Sequence, residues 1–387
     1  MDGMDEPMPM AEEPEAKRSL KKDLLQRLSE GVVVGDGGMI WTMQQRGYAS
    51  AGFTPEAAIE HRDTVLQVHR EFIHNGADVL QACTFWSARA EERATTGSIN
   101  RAACEIVMQA ASGAQTDVLI AGGVTKTESY ENGAGKDIVQ AEFQQQLDFY
   151  MENTFDFVVA EYLDTTEETS WAVEVLSRCG KPVMATVCIG PEGDIDGVSP
   201  QDCAVRLAQA GAHVVGVNCR FGPTKCLETV AMMKQGLEAA GMNHIYLAVQ
   251  PFGYHTPDAG LVGYQSMYEF PFALDARTIS RTDAHKYAVD AFNLGVRYIG
   301  GCCGFEPRHI RAMSEALQDE RGIMAPVTQR YGTWLEEAKK RSQVTKRDPQ
   351  YWLGMEPATG RPKSSAMSGV KADDAESYLR RVGRGGQ

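Results

Sequence analysis

No stretch of the 387-residue chain approaches 18 consecutive apolar residues, so a membrane span is not expected. Positive charge is in short supply. The 38 Lys and Arg stand against 52 Asp and Glu, a formal net charge of -14, which argues against a protein held to nucleic acid by phosphate contacts. Cysteine is sparse for this length. Nine residues, an odd number that includes the tandem pair Cys302-Cys303, do not make a disulfide scaffold and point to reduced thiols in a cytoplasmic setting. A dinucleotide-binding fingerprint is missing as well, because Gly35-Asp36-Gly37-Gly38 does not fit GxGxxG.

What is present supports a sizeable core, with 43% hydrophobic and 23% charged residues. Residues 1–20 hold six acids, three prolines and no apolar periodicity, and read as a disordered tail. The acids exclude a transit peptide there, and no apolar run follows to make a secretory signal. Residues 325–387 differ again. They carry 12 basic and 7 acidic side chains, against 26 and 45 in residues 1–324, with Tyr331, Trp334, Tyr351 and Trp352 set among polar residues. Such a segment reads as an arm that packs against the acidic body or a second subunit. The body therefore spans residues 21–324.

Within the body one pattern recurs eight times. Short apolar runs at 32–38, 77–86, 117–124, 155–163, 181–190, 212–219, 245–253 and 296–303 are each followed by a helical stretch. The runs are nearly continuously hydrophobic, as strands of a parallel sheet buried on both faces are. Helical periodicity with proline in the first turn appears at 55–75, 200–210 and 307–317. Eight such units imply a (β/α)8 (TIM) barrel, with a doubly wound sheet as the alternative.

Chemistry in a barrel sits at the carboxyl ends of the strands. The runs end in Asp36-Gly37-Gly38, in Gln81-Ala82-Cys83-Thr84-Phe85-Trp86, in Glu161-Tyr162, in Asn218-Cys219 and in Gly300-Gly301-Cys302-Cys303-Gly304. Three thiols, Cys219, Cys302 and Cys303, would converge there and form a soft site that suits Zn²⁺ with one position open. Glycines at 300, 301 and 304 let the backbone turn two adjacent sulfurs to one side. A lone cysteine is usually a small buried hydrophobe, and the other six are read that way, with Cys83 and Cys188 the nearest to the mouth. An all-thiolate zinc is a poor activator of water but holds a further thiolate well, as alkyl transfer to sulfur requires. The absence of histidine beside the cysteines disfavours a hydrolytic centre, and His255 near the mouth is left without an assigned role. Asp36 and Glu161 read either as a general acid/base pair or as the anchor for the ammonium group of an amino acid. Trp41, Phe53, Phe85, Trp86 and Tyr162 offer π-faces to an onium donor. A non-catalytic zinc barrel is the competing reading.

These motifs, with Phe53-Thr54-Pro55-Glu56-Ala57, Cys188-Ile189-Gly190-Pro191-Glu192-Gly193-Asp194, Tyr254-His255-Thr256-Pro257-Asp258, Tyr351-Trp352 and Gly360-Arg361-Pro362, resemble the homocysteine S-methyltransferase family, in its betaine–homocysteine branch, from about residue 22 to 368. The resemblance implies one Zn²⁺ per subunit on Cys219, Cys302 and Cys303, with Tyr162 in the fourth position when homocysteine is away. It implies that Asp36, the Gly37-Gly38 backbone and Glu161 hold the amino-acid end of homocysteine. Phe53, Phe85, Trp86 and Tyr162 would face the donor betaine. It also implies a homo-oligomer, a dimer of dimers, assembled through the C-terminal arm. Phe53, Trp86, Met39 and Ala82 stand where the family usually has Trp, Tyr, Phe and Thr, and the stretch after Trp86 is shorter. A sulfonium donor, dimethylsulfoniopropionate or S-methylmethionine, is therefore the alternative to betaine.

Overall fold

The structure, a computed structural model, describes residues 21–48, 56–84, 93–151, 154–271 and 273–336. The acidic tail, Phe53, Phe85, Trp86, Tyr351 and Trp352 lie outside these. Eight parallel strands form one sheet: β1 (Val33–Val34), β2 (Val79–Gln81), β3 (Leu119–Val124), β4 (Phe157–Leu163), β5 (Val183–Val187), β6 (Val214–Asn218), β7 (Tyr246–Gln250) and β8 (Tyr298–Ile299). The order β1-β8-β7-β6-β5-β4-β3-β2 is that of a (β/α)8 barrel, and each strand lies inside one of the eight expected runs. Every residue of β5 and β6 is buried, which is why those runs do not alternate. The helices expected at 200–210 and 307–317 are Pro200–Ala210 and Pro307–Ala316, each with proline in its first turn. The stretch 55–75 is broken into Ala57–Glu60 and Arg62–His74.

The inward residues of the strand starts, among them Val33, Val79, Leu119, Phe157, Met184, Val214 and Tyr298, pack into one cluster with Leu24 and Leu28. The helix Leu24–Glu30 therefore plugs the amino end of the barrel and leaves the carboxyl end as the open mouth. By contacts the chain divides into two compact units, Met1–Arg330 and Tyr331–Gln387.

At the seam between β1 and β2, Asp78 makes two of the links. Asp78 donates its N–H to the Val34 carbonyl at 2.8 Å, and its Oδ2 accepts the Val34 N–H at 2.8 Å. The same carboxylate is held by Arg321, with Nη2 at 2.5 Å from Oδ1 and a side chain only 2% exposed. Replacing Asp78 by Ala leaves the backbone bond to Val34 but removes the carboxylate that holds the Val34 N–H and pairs with the buried Arg321 guanidinium. It should cost about 3–5 kcal/mol in urea unfolding at unchanged slope, as breaking one side of a buried pair does. A loss under about 1 kcal/mol would mean that the seam is held elsewhere.

Candidate active site

Three residues besides glycine have positive φ among those described, and all three lie at the mouth: Tyr162 (57°) at the irregular end of β4, and Cys219 (54°) and Arg220 (51°) after β6. A left-handed side-chain residue costs of order 1–3 kcal/mol, so such residues persist where the surroundings over-determine them. The restraints are visible. Tyr162 donates its N–H to Asn218 Oδ1 at 3.2 Å, and Cys219 donates its own to the Gln250 carbonyl at 2.8 Å. The turn aims the Cys219 sulfur across the barrel mouth towards the segment after β8.

That segment is threaded between its neighbours. Gly301 donates to the Asp36 carbonyl at 3.0 Å, Cys302 to the Pro251 carbonyl at 2.9 Å, and the Cys303 carbonyl accepts from Gly253 at 2.7 Å. A Cβ at Gly301 would stand 2.2 Å from Phe305 Cγ, so the tight path past the Phe305 ring requires glycine. The result is that Cys219, Cys302 and Cys303 offer sulfurs all within 4.8 Å of one another. Cys302 and Cys303 both hydrogen-bond to Cys219, which holds its thiol well below the ordinary pKa and pushes both donors well above theirs. This donor set fits a soft divalent metal. It is all sulfur, it is compact, and among the described residues no histidine or carboxylate joins the group.

Cys302 and Cys303 line a cavity of about 690 Å³, counted with its opening to solvent. Asp36, Gly37, Gly38, Glu161 and Tyr162 line it together with Cys302 and Cys303, as the sequence placed them. Burial pushes the Asp36 carboxyl up to about 7, with the nearby Glu161 adding to the rise and the Gln81 N–H opposing it at 2.9 Å from Oδ2. Burial likewise raises Glu161 to about 7, against a hydrogen bond from the Gln81 side chain. Gln81 thus holds both carboxylates, one through its backbone and one through its amide. The sequence places Gln81 at the end of its run, as a polar break in an apolar stretch, without assigning it a role. Gln250 and Asn218, also in the cavity wall, were marked by the same signal.

Of the five expected aromatics, Trp41 and Tyr162 line the cavity and the other three lie outside the described residues. Trp41 is fixed by its Nε1 donating to the Tyr254 hydroxyl at 2.9 Å and by edge contacts to Phe252 and Tyr254. Met39 and Ala82 line the cavity too. Cys83 lines it without joining the sulfur group, and Cys188 lies 3.7 Å from Asn218 Oδ1. His255 points away, 3.5 Å from Asp283.

The profile of the homocysteine S-methyltransferase family matches residues 33–317, and the chain belongs to that family. Among its relatives, a betaine–homocysteine S-methyltransferase 1 of Xenopus tropicalis is 47% identical over 380 residues, covering 93% of this chain and 94% of that one. The mouse protein of the same name is 47% identical over 369 residues. An S-methylmethionine–homocysteine S-methyltransferase of Rattus norvegicus is 46% identical over 354 residues, 90% of this chain and 97% of that one. The homocysteine methyltransferase MmuM of Escherichia coli, in a metallated crystal form, shares the barrel fold at a TM-score of 0.58 and 17% identity, covering 74% of this chain and 96% of that one.

The site depends on a close approach that a single methyl group tests. A Cβ at Gly38 would lie 2.7 Å from the Cys302 carbonyl and 2.8 Å from Cys303 Cα. Gly38→Ala should displace the tandem cysteines and lower bound zinc, measured by atomic emission, several-fold while far-ultraviolet circular dichroism stays unchanged. Full zinc content in a folded Gly38→Ala protein would show that the sulfurs do not depend on that contact.

Proposed function

We propose that this chain transfers a methyl group from glycine betaine to the sulfur of homocysteine, giving dimethylglycine and methionine. One observation carries the reading: Cys302 and Cys303, whose sulfurs lie within 4.8 Å of that of Cys219 and of each other, line the same cavity as the carboxylates of Asp36 and Glu161. A neutral or anionic ligand gains nothing from Asp36 and Glu161. An amino acid brings an ammonium group that satisfies both and offsets their cost of burial. The relatives named above are homocysteine methyltransferases, which agrees with that arrangement.

Cys219, Cys302 and Cys303 would hold one Zn²⁺ per subunit. When bound, zinc keeps the homocysteine sulfur as a thiolate at neutral pH while leaving it nucleophilic. Asp36 and Glu161 orient the amino-acid end, and Gln81 fixes the spacing of those two carboxylates. Gly37 and Gly38 present bare backbone to the same end, although the Gly38 N–H is already given to the Phe305 carbonyl at 3.0 Å. The donor's onium group packs against π-faces such as that of Trp41, held rigid by Tyr254. The homocysteine sulfur attacks a methyl carbon in line. The S–C bond forms, the C–N bond breaks, and its electron pair stays on the nitrogen of dimethylglycine. No proton moves in this step, so no general base is needed. The residues contribute mainly by holding sulfur and methyl group in near-attack geometry.

A sulfonium donor is the second reading. It is favoured by the relative named for S-methylmethionine, whose identity to this chain nearly equals that of the betaine enzymes. Assembly as a dimer of dimers through residues 325–387, in the cytoplasm, belongs to the same proposal. Nine cysteines without a disulfide support a reducing setting, and no described helix is long and apolar enough to cross a membrane.

Replacing any one of Cys219, Cys302 and Cys303 by Ala should remove both zinc and turnover, whereas Glu161→Gln should keep zinc and weaken homocysteine binding roughly ten-fold or more. Stoichiometric zinc with near-normal turnover in a cysteine variant would refute the ligand set. Methionine formation from homocysteine with betaine, dimethylsulfoniopropionate and S-methylmethionine in parallel tests the donor. The expected order puts betaine first, and no product from betaine would leave the sulfonium reading.

A further inference from the structure

Beside the thiols lies a charge cluster that the reaction described above does not use. Lys126, Asp164 and Arg220 follow β3, β4 and β6 and meet behind Tyr162. Both cations reach the same carboxylate oxygen. Arg220 Nη2 is 2.8 Å from Asp164 Oδ2, and Lys126 Nζ is paired with that atom too. Lys126 Nζ lies 5.1 Å and Arg220 Cζ 5.7 Å from the centre of the Tyr162 ring, and that residue lines the cavity with Cys302 and Cys303. The side chains of Lys126 and Arg220 are only 11% and 8% exposed. Glu168, the next carboxylate, is taken up by the N–H and hydroxyl of Thr127 at 2.9 Å each. Arg220 Nε and Asp164 Oδ1 are buried with no hydrogen-bond partner. Two cations therefore share one directly paired anion in a nearly dry place, an arrangement that is costly unless further negative charge lies close by.

That negative charge is next door in the chain. Arg220 follows Cys219 directly and gives its backbone N–H to the Cys219 sulfur. On the zinc reading of the site, on which this inference rests, three thiolates and a divalent ion sum to one negative charge, and the acceptor's thiolate makes it two. We propose that Lys126 and Arg220 are the countercharge of this thiolate centre. They are positioning residues that touch neither substrate. Their effect is on how firmly the acceptor's sulfur is held as a thiolate, and Asp164 sets that effect by drawing off part of their charge.

The signs make the inference testable on the zinc-loaded full-length protein. L-Homocysteine affinity is measured by calorimetry, and zinc affinity by competition with a chromophoric chelator. Lys126→Met and Arg220→Met should each weaken homocysteine binding roughly ten-fold, and zinc binding in the same direction, as loss of one partly buried charge predicts. Lys126→Arg and Arg220→Lys keep the charge and should stay within about three-fold of the parent, which controls for packing. Asp164→Asn leaves the cations less neutralised and should shift both affinities the other way, towards tighter binding. A shift in the same direction for Asp164→Asn and the Met variants would mean that the cluster only braces Tyr162, and the inference would fail. Unchanged affinities in the Met variants would also overturn it. In either case normal zinc and homocysteine binding by the parent would leave the metal reading intact, whereas a parent that takes up no zinc would end both.

Discussion

Three sulfurs must share a space less than 5 Å across, and two of them come from adjacent residues. Neither a regular strand nor a helix can do this, because successive side chains diverge. The chain solves the problem by leaving regular structure where the barrel's ladder runs out. Cys219 takes a left-handed backbone conformation, and Cys302-Cys303 run between the extensions of β1 and β7, tied by four backbone hydrogen bonds from Gly301, Cys302, Gly253 and Phe305. The strain is tolerable because the barrel below is closed at its amino end by Leu24 and Leu28 and linked at its seam by Asp78. The rigid cylinder serves the irregular rim.

The rim concentrates charge where little of it is exposed to water. Asp36 and Glu161 lie on one side of the sulfurs, with Lys126 and Arg220 on the other side of Tyr162. On the proposed function, the carboxylates match a cation on the acceptor, the sulfurs match a metal, and the two basic side chains match the negative charge that sulfur and metal would accumulate together. Each buried charge thus has a partner of opposite sign once acceptor and metal are counted. A hydrolytic centre would need a different balance, with neutral ligands that leave a water acidic.

Much of this was legible in the sequence because burial on both faces leaves a strong mark. All eight strands fall inside continuous apolar runs, and the polar residues that end those runs form the cavity wall. The runs were longer than the strands, however. The run 32–38 contains a strand of only two residues, because from Asp36 onward a carboxylate and a glycine turn replace ladder bonds. The break at His61 was also missed, since apolar periodicity continues across it. What the sequence hid were relations between distant residues. Nothing at position 126 or 164 announces that they will meet at Arg220, and no residue type marks Tyr162 or Cys219 for positive φ. Gln81 and Gln250 were visible as polar interruptions, but the carboxylates Gln81 would join became evident only in three dimensions.

The central claim is that sulfur alone binds the metal and that homocysteine adds one sulfur more. X-ray absorption at the zinc edge measures this directly on the loaded protein, with and without L-homocysteine. The account predicts three Zn–S contacts near 2.3 Å and one lighter ligand before the addition, and four sulfurs after it. A first shell dominated by nitrogen or oxygen, or a sulfur count that homocysteine leaves unchanged, would contradict it.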